Sequence, residues 1–291
     1  LKQMQLAMLN YESTNQKFPA QGCSPEIRQI HPNPRSSRRW GFIPSLLPYL
    51  EQLPLHTSLI TLIETNSDAR PWRQDTAHRG VTQTELTEIL CPSDPNTSRT
   101  TSGPNQTTGR TSYRLCRGDK RLEANEARKR GVGVTGYKRK VGLGGIGNGE
   151  IEDLTKIIPQ TVKIKDITDG TSNTISLGEA RISIASGDSR GGGYGTGAGS
   201  NGGNAAPSVC AALVGTDGKY SSYTTNGSQA PGVRWADSEE GFTSFFTFAA
   251  PNYPRCGIGN ENWACLPPSS YHPGGAVMAH VDGSVKFYND N

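Results

Sequence analysis

The sequence has few of the residues that a compact apolar core needs. Hydrophobic residues make up 33% and aromatic residues 7% of the 291 positions, whereas Gly (35) and Pro (19) are abundant. This mixture favours short strands and long surface loops over a helical bundle. The chain can still bury a core, but much of its length must lie outside that core.

Net charge is also low. The formal net charge is +4 and the pI is about 8.7, so the chain as a whole requires neither nucleic acid nor an anionic membrane as a partner. Residues 114–140 depart from this average, because they hold ten Lys/Arg against three Asp/Glu. Such a segment is either a solvated loop or a binding site for a polyanion or polysaccharide. The segment has a single aromatic residue, Tyr137, near its end. This scarcity of aromatic residues among the basic ones favours the solvated loop and gives no support to nucleic-acid binding.

No two of the six cysteines form a CxxC pair, which argues against a zinc site and against a thioredoxin-like redox motif. An even number of widely spaced cysteines instead fits disulfides and an oxidising compartment. Cys256 and Cys265 bracket a short loop and form the first candidate bridge, with Cys91 and Cys116 as further candidates. Six cysteines allow about 15 pairings, so the remaining connectivity stays open.

The short motifs of common enzymes are missing as well. The sequence contains no Ser-centred GxSxG, no HExxH and no phosphate-binding loop. It also contains no signal peptide and no apolar run long enough to span a membrane. We therefore expect no catalytic residues and no enzymatic activity.

A helical stripe opens the chain. Leu1, Met4, Met8 and Tyr11 recur at the spacing of one helix face. No N-cap residue precedes the stripe, which indicates a helix whose start lies upstream of Leu1. We expect this stripe to pack the helix of residues 1–20 against the rest of the protein.

The remaining chain divides by its hydrophobic pattern. Residues 21–160 are interrupted by proline and polar runs and are interpreted as a loop-rich insertion. From residue 161 the pattern alternates as strands do, which predicts a mostly antiparallel sheet over residues 161–291. The whole chain, 1–291, is expected to form one α+β domain with long Gly- and Pro-rich loops.

The last residues predict a hairpin. Residues 276–281 and 284–288 alternate as strands and flank Asp282-Gly283, a pair that suits a two-residue type I′ turn. We therefore assign Asp282 and Gly283 to the turn.

Pairing outward from that turn places His280 opposite Val285 and Met278 opposite Phe287, all on one buried face. A histidine on such a face is typical of a hydrogen-bonded core residue rather than a ligand. His272 precedes the hairpin, and no second acid or base in register with it is apparent from the sequence, so a catalytic role for this segment is not favoured.

Residues 166–174 concentrate side-chain oxygens on a loop that contains glycine. Asp166, Asp169 and Asn173 are candidate calcium ligands, because hard cations prefer such oxygens. The spacing is not that of an EF-hand. The alternative is an Asx-turn and helix cap, in which Asp and Ser/Thr side chains bond backbone N–H groups, and this alternative is favoured. Apart from this calcium candidate, no cofactor is expected.

Six separate stretches resemble one known family, and they occur in that family's order. They are LKQMQLAMLNYESTNQKFP, IPSLLPYLEQ, LCPSD, ITDGTSNTISLGE, FTFAAPNYPRC and SSYHPGGAVMAHVDGSVKFY. The chain is similar to the large prepilin-like family of planctomycete bacteria, whose core domain has no assigned function. The resemblance spans the chain, with divergent loops between the segments.

The resemblance implies a subunit that is built like a type IV pilin or a secretion pseudopilin. Such proteins begin with a prepilin peptidase cleavage site and a long apolar helix, which would lie upstream of Leu1. Export, a cell-surface or extracellular location, and assembly with copies of itself into a filament or pseudopilus are the implied properties. Membrane contact would occur only through that upstream helix. The family supplies no catalytic residues, and this chain departs from its pattern at His280.

Overall fold

A computed structural model describes most of the chain. The described residues are 1–22, 25–30, 39–73, 75–97, 108–119, 131–134, 137–139, 157–159, 161–183, 186–190, 193–197, 206–223, 230–257 and 264–291. Within these ranges no helix is both long and apolar enough to cross a membrane. Cys23 lies outside the described residues.

Most of the helices lie in the first third of the chain, and two of them are longer than the rest. The α-helices are α1 (Lys2–Asn15), α2 (Pro25–Ile30), α3 (Phe42–Leu46), α4 (Leu53–Thr65), α5 (Thr76–Thr82), α6 (Pro207–Ala211) and α7 (Glu240–Thr243). The 3-10 helices are η1 (Leu47–Leu50), η2 (Thr87–Ile89) and η3 (Ile164–Asp166).

Within the described ranges, the strands form one main sheet and two small ones. They are β1 (Tyr113–Cys116), β2 (Tyr137–Arg139), β3 (Ile157–Pro159), β4 (Ile175–Glu179), β5 (Gly195–Thr196), β6 (Ser244–Phe245), β7 (Cys256–Gly257), β8 (Ala264–Cys265), β9 (Gly275–His280) and β10 (Val285–Asn289). The main sheet has the order β10-β9-β4-β1-β6, and the small sheets are β2-β3 and β5-β7-β8. Only β1–β6 and β5–β7 are parallel among these pairs. The expected α+β class with a mostly antiparallel sheet is therefore confirmed.

Helix α1 covers one face of the main sheet. Met4 and Met8 have no exposed surface and Tyr11 is buried, while Leu1 packs at the edge of the same cluster. The cluster includes Leu177 and Ala279 from the sheet and apolar side chains of α3 and α4. The helical spacing of the stripe thus positions α1 between the sheet and the other helices.

Helix α4 is a difference from the expected loop-rich insertion. It runs for 13 residues from Leu53, with a proline in its first turn, and it buries Leu59, Leu62 and Ile63. Proline interrupts a helix interior but is well tolerated in the first helical turn, where its missing N–H leaves no bond unmade. Pro54 therefore marks the start of a helix rather than a break.

The start of the basic segment 114–140 also differs from a solvated loop. Arg114 lies in β1, between β4 and β6, and is fully buried, and Arg117 is buried beside Glu240 at 3.1 Å. The main sheet thus takes a central strand from within the expected insertion. The side chains of the other eight basic residues of the segment lie outside the described residues.

The final hairpin forms, but its register differs by one residue from the expected pairing. Val285 pairs with Ala279 and Phe287 with Val277. The reason is the turn, since Gly283 has a positive φ of 92° whereas Asp282 does not, so the two-residue type I′ turn is wrong and the loop is longer. Because a shift of one residue exchanges the faces of a strand, Phe287 is 49% exposed instead of buried.

A disulfide joins Cys210 to Cys256, so the expected pairing of Cys256 with Cys265 is wrong. Cys256 and Cys265 are nevertheless direct neighbours across β7 and β8, and all three sulfur side chains share one small buried cluster. Helix α6 brings Cys210 against this pair. Cys91 and Cys116 are buried free thiols rather than disulfide partners.

Candidate metal centre

Three chemically reactive side chains from distant segments meet at one end of the main sheet. Cys91 follows η2, Glu179 is the last residue of β4, and His272 lies in the loop that leads into β9. Strand β4 pairs with β9, and Glu179 pairs with Tyr113 of β1. The sheet therefore brings the carboxylate of Glu179 next to the loop that carries His272.

The three donor atoms converge on one point. Nε2 of His272 lies 3.3 Å from Oε1 of Glu179 and 3.7 Å from Sγ of Cys91. All three atoms lie within 4.8 Å of one another, and this is the one such group of His, Cys, Asp and Glu side chains in the described part of the chain. Sulfur, imidazole nitrogen and carboxylate oxygen are the donor atoms that zinc takes in proteins.

Backbone bonds fix the carboxylate of Glu179. Its Oε2 accepts a hydrogen bond from the backbone N–H of Val277 at 2.9 Å, and its own backbone carbonyl accepts one from Ser269 at 3.0 Å. These two bonds join β4 to both ends of the His272 loop. Oε1 is consequently directed toward the histidine.

The other two side chains are held by tight local turns. The backbone N–H of Asp94 donates to the carbonyl of Cys91 at 3.0 Å, which closes a turn beginning at the cysteine. The backbone N–H of His272 donates to Oγ of Ser270 at 3.0 Å. Each side chain is thus supported by its own segment as well as by the sheet.

The environment of the group is buried on one side and open on the other. The side chain of Glu179 is 6% exposed and that of His272 is 36% exposed. Burial raises the pKa of the Cys91 thiol; the backbone N–H of Ser93 opposes this shift and Glu179 adds to it. Burial also raises the pKa of Tyr113, whose hydroxyl hydrogen-bonds to the Cys91 side chain. A cleft next to the group is lined by Cys91, Glu179, Ser269 and Tyr271, among others.

The sequence showed no acid or base in register with His272, but the structure places Glu179 beside it. Glu179 is 93 residues away in the sequence and reaches His272 only through the β4–β9 pairing. Sequence spacing carries no information on such a contact. A usable signal was present in the family resemblance, because LCPSD, ITDGTSNTISLGE and SSYHPGGAVMAHVDGSVKFY contribute Cys91, Glu179 and His272 respectively.

The calcium candidates use their polar atoms within their own loop. Oδ2 of Asp166 accepts from the backbone N–H of Lys163 at 3.1 Å. Nδ2 of Asn173 donates to the backbone carbonyl of Asp169 at 2.9 Å. Asp169 and Asn173 are exposed. Of these contacts, only that of Asp166 is the bond from a backbone N–H to a side chain that the alternative describes.

His280 has a hydrogen-bonding partner on its own hairpin. Its Nε2 lies 2.6 Å from the hydroxyl of Tyr288, and the two rings stack with centroids 6.0 Å apart. Burial lowers the pKa of His280, with a smaller effect in the same direction from Lys286. Oδ1 of Asp282 accepts from the backbone N–H of Ser284 at 2.9 Å. His280 and Asp282 therefore serve the hairpin, and neither contributes to the group at Cys91.

Comparison with known proteins gives one family match. The model of a family described as a protein of unknown function (DUF1559) matches residues 1–291, the whole chain. No curated protein and no solved structure matches the chain.

Proposed function

This chain belongs to the DUF1559 family, and from that membership we propose that it is an exported, pilin-like structural subunit. In this proposal the subunit assembles with copies of itself into an extracellular filament or pseudopilus. An apolar helix joined to the amino end of α1 would supply the assembly surface, since only neighbouring helices could hide such a surface from water.

The observation that carries the proposal is the packing of α1. A single helix at the amino end lies across a mostly antiparallel sheet and buries Met4, Met8 and Tyr11 against it. This arrangement suits a subunit whose helix extends out of the globular part, because the buried stripe anchors the helix while its remainder stays available for neighbours. Because Met8 has no exposed surface, we expect it to pack the helix within its own subunit and to make no contact between subunits.

The disulfide supports export. Disulfides persist in oxidising compartments such as the periplasm and the cell exterior, and they are rare in a reducing cytosol. The Cys210–Cys256 bridge thus suggests an oxidising, exported location.

The test is the assembly state of the protein carrying its full native amino terminus. We expect regular fibres in electron micrographs of native material, and detergent dependence of the purified protein. The matched control is the chain Leu1–Asn291, which should remain monomeric under the same conditions. If the full-length protein is also monomeric without detergent, the proposal is wrong.

A further inference from the structure

We infer that Cys91, Glu179 and His272 form a binding site for a zinc ion. The site would have three protein ligands, of which Cys91 and Glu179 also line the cleft beside Tyr271. This inference goes beyond the proposed function and does not depend on it, since a filament subunit and a monomeric protein could both hold the ion.

The distances between donor atoms carry the inference. A tetrahedral zinc with Zn–S of about 2.3 Å, Zn–N of about 2.05 Å and Zn–O of about 2.1 Å separates sulfur from nitrogen by about 3.6 Å and nitrogen from oxygen by about 3.4 Å. The corresponding separations here are 3.7 Å from Cys91 Sγ to His272 Nε2 and 3.3 Å from that nitrogen to Glu179 Oε1. Both agree with the tetrahedral values within the usual spread of such sites.

The orientation of His272 separates a metal site from a nucleophile relay. In a thiol–imidazole–carboxylate relay, the sulfur contacts one ring nitrogen and the carboxylate contacts the other. Here Cys91 and Glu179 both approach Nε2 of His272. A relay from Cys91 to Glu179 needs both ring nitrogens of the histidine, and here only one of them is used. A cation placed between the three donor atoms would instead contact all of them.

Partners around the three ligands fit a metal site. Metal-binding carboxylates and thiolates are themselves held by hydrogen bonds, which set their direction. Val277 donates its backbone N–H to Oε2 of Glu179 and leaves Oε1 for the ion. The backbone N–H of Asp94 donates to the carbonyl of Cys91 at 3.0 Å, and this turn holds the segment that carries the sulfur.

The donor set selects the class of metal. Thiolate and imidazole ligands favour zinc and similar transition metals over calcium and magnesium, which prefer oxygen alone. Three protein ligands with an open fourth position are the arrangement of zinc sites that also bind water or a small anion. The partly exposed side chain of His272 gives an ion a route from solvent.

Metal binding would add protection to a thiol that is already buried. The disulfide between Cys210 and Cys256 indicates an oxidising compartment, yet Cys91 is a free thiol. Cys116 is free as well, but it lies inside the sheet. Cys91 instead borders a cleft, and coordination to an ion would protect its sulfur from oxidation.

The first experiment uses the unmodified chain and cobalt as the probe. After removal of metal with a chelator, Co²⁺ is titrated into the protein and the visible and near-ultraviolet spectra are recorded. We expect about one equivalent to bind with tetrahedral d–d bands and a thiolate-to-cobalt charge-transfer band, and zinc to displace it. Absence of the charge-transfer band in folded protein overturns the inference.

The second experiment uses variants with matched controls. Cys91→Ser should abolish the charge-transfer band, and His272→Gln should weaken zinc binding about 10–100-fold or more. Cys116→Ser and His280→Gln remove the same residue types elsewhere in the sheet and should retain the band and the affinity. If Cys116→Ser loses the band and Cys91→Ser keeps it, or if all four variants bind alike, the site is not the one inferred.

Thermal unfolding gives a third readout. An ion that binds only the folded protein raises the midpoint by about 5 °C at a free zinc concentration of about 100 times Kd. The full rise should occur in the unmodified chain and in His280→Gln, and it should fall to about half or less in His272→Gln at the same zinc concentration. An equal rise in both variants contradicts the inference.

Discussion

Truncation of Met8 to alanine tests whether α1 is anchored by its own sheet. Met8 has no exposed surface and lies in the cluster that contains Leu177 and Ala279. Its removal deletes about three methylene-sized groups, each worth about 0.8 kcal/mol of burial, or about 2.4 kcal/mol together. The cavity left behind adds to this loss, so Met8→Ala should lower the free energy of unfolding by about 2–5 kcal/mol.

The matched control for this change lies two residues earlier on the same helix. Leu6 is 53% exposed, and Leu6→Ala should change the free energy of unfolding by no more than about 0.5 kcal/mol. Both variants are measured by urea unfolding, followed by circular dichroism with the disulfide intact. If the two variants are destabilised equally, α1 does not pack with the Met8 face against the sheet and the reasoning is refuted.

Three further predictions follow from single contacts. Cys210→Ser removes a disulfide between residues 46 apart in the sequence and should lower the free energy of unfolding by about 4 kcal/mol. Peptide mapping of the unmodified protein should recover Cys210 linked to Cys256, and a link to another cysteine would contradict the structure. Burial lowers the pKa of His280, so as the pH falls this imidazole is protonated in the unfolded chain before it is protonated in the folded protein. The free energy of unfolding should therefore decrease as the pH drops below about 6.5. His280→Gln should make this decrease smaller when unfolding by urea is measured at several pH values. Asp237 is fully buried and accepts two hydrogen bonds from Arg39, at 2.9 and 2.7 Å. Asp237→Ala would leave the charge of Arg39 without this partner and should lower the free energy of unfolding by about 3–5 kcal/mol. A loss below about 1 kcal/mol would show that water reaches the arginine.

Local periodicity predicted the elements that depend on local structure. The helical stripe of α1 and the strand alternation around the final turn each rest on neighbouring residues, and both elements form. The faces of the hairpin could not be read in the same way. They depend on whether one or two residues of the turn take a positive φ, and only Gly283 does so. A single backbone angle thus decided whether Phe287 was buried.

The candidate metal-binding group could not be predicted from sequence spacing, for a different reason. Zinc sites with CxxC or HExxH spacing are visible because two ligands share a turn or a helix face. Here each ligand comes alone from its own segment. The β4–β9 pairing brings Glu179 to the His272 loop, and a bond from the Ser112 N–H to the Ile89 carbonyl holds the Cys91 segment beside β1. The absence of a CxxC pair therefore excludes one class of zinc site and not zinc binding in general.

The low hydrophobic content of the sequence has a structural counterpart in buried arginines. Arg114 is fully buried and donates to the backbone carbonyl of Arg181 at 2.9 Å, while Arg255 donates to that of Gly193 at 3.1 Å. Burial and the nearby Arg255 lower the pKa of Arg114 to about 9. Loop carbonyls have no strand partner, and each buried one needs a donor. A guanidinium supplies several donors at once, so a few arginines can order loops that apolar side chains alone would leave unfixed.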